Sequence, residues 1–136
     1  NFLIKFWQIV DTIIKENCYE FMFEGCTSLV TPPSLPAVSL QQSCYSNMFF
    51  RCTSLVEAPK LPAKTLTTTC YSQMFWGCTN LKYVNAAFTS DISEDGPTNL
   101  WLVGVASEGT FVKNVDATWE LSGSSGIPEG WTVVTE

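Results

Sequence analysis

Histidine is absent from this 136-residue chain. That removes Ser-His and Cys-His pairs as nucleophilic centres and the imidazole ligand that many zinc sites use. Charge is scarce too: Asp, Glu, Lys and Arg make up 15% of residues, with 7 basic against 13 acidic side chains and a net charge of −6. No basic cluster is present to meet phosphates, which argues against nucleic acid as a partner. No apolar run is uninterrupted for long enough to span a bilayer. The most apolar stretch, residues 1–17, is broken by Lys5, Asp11, Lys15 and Glu16. No small-residue cleavage site follows it, so it is not a signal peptide of the usual design. An apolar fraction of 46% still supports one domain, residues 1–136, with a real core. Few charges beside many Ser, Thr and Asn fit an extracellular or cell-surface protein.

What the chain does have is a register. Cys18, Cys44 and Cys70 are 26 residues apart, and so are Cys26, Cys52 and Cys78. A fixed period in the range of about 20–50 residues is the signature of stacked repeats. The surrounding words recur: CYEFMFEGCTSL, CYSNMFFRCTSL and CYSQMFWGCTNL. Met22, Met48 and Met74 align, as do Phe23, Phe49 and Phe75, and Leu29, Leu55 and Leu81. Residues 18–85 thus read as three repeats. Residues 1–17 read as a degenerate partial repeat or, alternatively, as a capping helix, since Phe2, Phe6, Ile9 and Ile13 share a helical stripe. Residues 86–136 read as a terminal repeat and C-terminal cap, with Gly96 and Gly104 where cysteines would stand.

Each unit is too small to bury its own apolar side, so stacking is what makes the core continuous. Pro32, Pro33, Pro36, Pro59 and Pro62 exclude interior helix from their stretches. Residues 44–51 and 70–77 lack Pro and carry Tyr, Met and Phe at offsets of three and four, which predicts one or two turns of helix. The expected fold is therefore an α/β solenoid of 26-residue leucine-rich repeats, each a short strand, an extended Pro segment and a short helix. The alternating segments GTFVKNV and WTVVTE in residues 107–136 predict two strands that close the last edge.

Six cysteines suggest three disulfides by count. Each ladder has three members, however, and pairing between tiers strands one thiol in each. Small buried thiols filling one layer of the stack are the favoured reading, and an oxidising compartment keeps disulfides open.

The words GCTSL, LPA and CYxxMFxGC resemble the BspA-type, or Treponema pallidum-type, leucine-rich repeats of surface proteins in Bacteroides and relatives. The match runs over residues 18–85, and the tail VGVASEGTFVKN with SGSSGIPEGWTVV is similar to the end that follows such repeats. The resemblance implies an exported, displayed solenoid used for adhesion or protein binding. A start inside a repeat also suggests a piece of a longer parent with more repeats upstream.

No catalytic constellation emerges, so the expectation is no enzyme and no cofactor. Asp91, Glu94 and Asp95 read as a solvated turn rather than an acid pair. The run from Asp91 to Gly96 imitates the start of a calcium loop, but Leu102 stands at the twelfth place, where a bidentate Glu is needed. Ser93 or Asp95 is a candidate cap for a helix over residues 99–105. Trp119 and Trp131 read as core or lid residues, with sugar binding as the alternative. Positions that differ between copies are where recognition would be written: Thr31, Ser34, Glu57, Lys60, Lys82 and Tyr83, all on the strand face, with Val30 and Val56 beside them. The expected function is a non-enzymatic, cell-surface or secreted binding module for a protein or host-surface ligand. The alternatives are a structural spacer within a larger surface protein and a glycan-binding accessory.

Overall fold

A computed structural model describes residues 13–136. Among the described residues there are three strands: β1 (Tyr83–Ala86), β2 (Gly109–Lys113) and β3 (Trp131–Thr135). They form one open sheet in the order β1-β2-β3, with both pairings parallel. Isolated parallel bridges, Glu57 to Tyr83 and Leu61 to Ala86, carry the pairing one segment back from β1. The tail segments read as alternating are β2 and β3. No helix forms among the described residues, so none is long and apolar enough to cross a membrane.

The α/β leucine-rich-repeat solenoid is thus corrected to a small, helix-free, β-rich domain. Its expected helices fail for a definite reason. Positive φ recurs every fourth residue, at Asn17, Phe21 and Gly25, at Ser43, Asn47 and Arg51, and at Thr69, Gln73 and Gly77, between 51° and 75°. Left-handed residues at that interval cannot continue an α-helix. The N–H groups are divided instead. Those of Met22, Met48 and Met74 donate to carbonyls three residues back, at 3.1–3.2 Å. Those of Phe23, Phe49 and Phe75 donate sideways to Met48, Met74 and Trp101, at 2.9–3.0 Å. Consecutive tight turns replace each helix, and every tier is hydrogen-bonded to the next. Residues 99–105 behave alike: Leu100 has φ 51° and Gly104 φ 73°, so the helix expected there, and its cap, are corrected too.

Side chains follow the same offset. The rings of Phe23, Phe49 and Phe75 stack at 5.5 and 5.6 Å, within 7° of parallel. Tyr19, Tyr45 and Tyr71 stack beside them at 5.8 and 6.2 Å. Each such contact adds about 0.5–1.5 kcal/mol beyond the area buried. Leu29, Leu55 and Leu81 are buried in the same core, as are Met48 and Met74. Beyond the third tier, Phe88, Trp101, Phe111 and Trp119 enlarge the core with edge-on contacts and one stacked pair, Phe88 with Trp119. The 1–17 alternatives fall mostly on residues 1–12, outside the described residues; Ile14 is buried and Ile13 bridges to Ser39.

All six cysteines are free thiols. Cys44, Cys52, Cys70 and Cys78 are fully buried, whereas Cys18 is exposed and Cys26 half-buried. The Cys52 thiol donates to the Phe23 carbonyl at 3.1 Å, and the Cys78 thiol to that of Phe49 at 3.0 Å. Burial pushes the thiols of Cys44, Cys52 and Cys78 up to about 12 and that of Cys70 up to about 11. A nucleophilic cysteine needs the opposite shift, so these four act as packing groups.

Candidate groove on the sheet face

Parallel pairing lines up the solvent-facing residues of successive strands. Glu57 bridges to Tyr83, Tyr83 pairs with Thr110, and Thr110 pairs with Thr132. On that row lies an open groove of about 640 Å³, lined by Glu57, Lys82, Tyr83, Glu108, Thr110 and Thr132. Two carboxylates, one amine, a phenol and two hydroxyls converge there. This is an inventory for hydrogen bonds and ion pairs with an extended ligand, laid on a sheet backbone that holds it in place.

The groove unites three of the six positions singled out from the sequence: Glu57, Lys82 and Tyr83. Lys60 lies further along the same face, in a hollow of about 160 Å³ with Asn85, Asn114 and Glu136. Asn85 donates from its side-chain amide to the Glu136 carboxylate at 3.2 Å. Thr31 and Ser34 are exposed but line neither hollow. Glu108, Thr110 and Thr132 escaped the sequence reading. Their signal was the register itself, which steps by 27 from Tyr83 to Thr110 and by 22 from Thr110 to Thr132 rather than by 26.

Gly109 shapes the groove floor. A Cβ there would stand 2.7 Å from the Lys82 carbonyl oxygen and 2.6 Å from the Trp131 ring. That carbonyl already accepts the Thr110 N–H at 2.9 Å. Gly109→Ala is therefore expected to cost about 1–3 kcal/mol by overpacking, measured by urea unfolding.

Three tryptophans serve the core. Trp101, Trp119 and Trp131 are at most 8% exposed. Their indole N–H groups donate to the carbonyls of Gly126, Phe88 and Ala106 at 2.9, 3.1 and 2.8 Å. A sugar platform needs an open ring face, and Trp119 gives one face to Phe88 at 4.8 Å. Trp76 is half-buried and stacks on Phe50 at 4.7 Å, with the Arg51 guanidinium 5.3 Å from its ring centre. Asp91, Glu94 and Asp95 are exposed. No group of three His, Cys, Asp or Glu side chains suited to a metal forms among the described residues.

The chain matches no protein-family model, no curated protein and no solved structure.

Proposed function

We propose that this chain is a non-enzymatic binding module, displayed at a cell surface or secreted, whose ligand is a protein lying across the exposed sheet face. The carrying observation is the meeting of Glu57, Lys82 and Tyr83 with Glu108, Thr110 and Thr132 in one groove on paired backbone. Three residues that vary between otherwise repeated words, Glu57, Lys82 and Tyr83, are gathered there, while the repeated Phe and Leu of the same words are buried. The mixed charge and hydroxyl content favours a polypeptide, which offers carbonyls, amides and side chains of both signs. The buried indoles favour it over a glycan. Placement at the surface rests on the Ser, Thr and Asn content and on the likeness of residues 18–85 to exported surface proteins.

The test is selection of displayed random peptides on the immobilised protein, followed by measurement of selected peptides in solution. The variant Glu57→Ala/Lys82→Ala/Tyr83→Ala changes three exposed or half-exposed side chains and is expected to keep its melting temperature. It should lose about tenfold or more in affinity, equivalent to about 1.4 kcal/mol. Equal binding by the triple variant, or hits confined to a glycan array, would overturn this reading.

A further inference from the structure

The two sides of the molecule end differently. On the turn side, residues 121–127 close the last tier: Leu102 N–H donates to Ser124, the Thr98 hydroxyl to Ser125 and the Trp101 indole to Gly126, at 3.1, 2.7 and 2.9 Å. On the sheet side the order β1-β2-β3 leaves β3 as an edge.

The backbone of that edge can be assigned. Glu136 N–H donates to Lys113, and the Glu136 carbonyl accepts from Val115, so both main-chain groups of Glu136 face β2. Successive residues of a parallel strand address its two neighbours alternately. Thr132 and Val134 therefore share the side of Glu136, while Val133 and Thr135 turn their N–H and C=O groups outward. Trp131 agrees, since its N–H goes to Pro128 rather than to β2.

Proteins blunt such edges with Pro, Lys, bulges or covering segments. β3 carries neither Pro nor Lys and pairs with β2 in unbroken register from Trp131 to Thr135. Four of its residues are exposed, Val133 at 48% and Val134 at 46% among them. A hollow meets each face. Thr132 borders the polar groove with Glu108. Val133 borders a second hollow of about 630 Å³ with Trp119, Leu121, Ile127 and Trp131, rimmed by Glu120 and Glu129. An outward row of main-chain donors and acceptors with a pocket on either face is the arrangement that adds an extended peptide as a strand.

Charge selects the occupant. Glu108, Glu120 and Glu129 are exposed around the edge. The nearby amine of Lys113 is turned inward, donating to the Trp119 carbonyl and lying 4.5 Å from its ring centre, and the exposed Lys82 of the polar groove is outnumbered there by the carboxylates of Glu57 and Glu108. A second copy of the chain, with net charge −6, would bring like charge to this rim. We propose that β3 accepts, as a fourth strand, an extended segment of another protein in which apolar residues alternate with Lys or Arg. The apolar side chains enter the hollow below Val133, and the basic ones face Glu108 and the polar groove.

The probe is a short end-blocked peptide of alternating Val and Lys, followed by fluorescence anisotropy. Saturable binding is expected, weaker by about tenfold or more for alternating Val and Glu. N-methylating one alternate set of peptide amides should abolish binding, and methylating the other set should not, because only one set faces β3. Val133→Pro removes an outward N–H and no ladder bond, so it should keep the fold and lose the peptide. Glu57→Ala/Lys82→Ala/Tyr83→Ala should retain this peptide, which separates the edge from the face groove. The proposal is overturned if neither methylated set weakens binding or if a folded Val133→Pro binds as before. It is also overturned if sedimentation shows the protein dimerising through β3, with Val133→Pro restoring the monomer. Should Val133→Pro not fold, the methylated peptides decide alone.

Discussion

Taking the protein from pH 8 to pH 10 under reducing conditions is expected to remove about 5 kcal/mol of unfolding free energy. The cause is the set of four buried thiols. In the unfolded chain each would ionise around its ordinary value of 9.0, whereas in the fold burial holds Cys44, Cys52 and Cys78 to about 12 and Cys70 to about 11. The folded state thus keeps protons that the unfolded state releases. A raised pKa of this kind leaves its stabilisation intact below the unfolded value and loses it as pH climbs toward the folded one. Within that window each thiol costs about 1.4 kcal/mol per pH unit. Tyr71, likewise raised by burial, adds to the loss as pH passes its ordinary 10.0. Urea unfolding at pH 8, 9 and 10, followed by tryptophan fluorescence, measures the slope. Cys52→Ala should flatten it by about one thiol's share. A flat profile would mean that the fold does not hold these thiols protonated beyond the pH at which the unfolded chain releases them.

The same cysteines show how far the sequence carried. Their spacing locates the tiers, and with Phe, Tyr, Met and Leu in the same register it identifies which side chains are buried. What it does not identify is the backbone between them. Tyr45 and Phe49, or Cys44 and Met48, stand four apart, an interval that suits a helix and equally suits a turn repeating every fourth residue. The distinguishing signal is left-handed backbone, which Gly and Asn adopt cheaply. It is written openly at Asn17, Gly25, Asn47 and Gly77, and hidden at Phe21, Arg51, Thr69 and Gln73, where side chains unsuited to that region occupy it. Phe21, Arg51 and Gln73 hold the conformation because the neighbouring tier accepts their N–H groups, at Ser46, Trp76 and Asn99, a tertiary effect that no local reading contains. The groove was half legible for a related reason. Glu57, Lys82 and Tyr83 fall inside the regular register, whereas Glu108, Thr110 and Thr132 lie beyond the point where the step changes. The open edge at β3 was not legible at all: the alternation in WTVVTE predicts a strand, and only the sheet order shows that its outer side has no partner strand among the described residues.

Replacing Phe49 by Ala is expected to cost about 3–5 kcal/mol, a large share of the roughly 5–15 kcal/mol that holds a domain folded. Phe49 is completely buried and lies between two rings, Phe23 at 5.5 Å and Phe75 at 5.6 Å. Its N–H reaches Met74 at 2.9 Å, and its carbonyl accepts both the Cys52 N–H and the Cys78 thiol at 3.0 Å. Removing the ring opens a cavity that three tiers border and that none can fill without breaking those bonds. Phe50 is the natural control, because it is one residue away but half-buried, stacked on the half-buried Trp76 with the Arg51 guanidinium 5.4 Å from its ring centre. Phe50→Ala should cost about 1 kcal/mol. The paired change Phe49→Ala with Phe75→Ala should depart from the sum of the single losses by about 0.5–1.5 kcal/mol, the coupling of two stacked rings. Equal costs for Phe49→Ala and Phe50→Ala, or strict additivity of Phe49 with Phe75, would show that stability does not reside in the aromatic column. If the column is where it resides, the face groove and the β3 edge stand on a support whose core their surface variants leave untouched, and those variants report on binding rather than on folding.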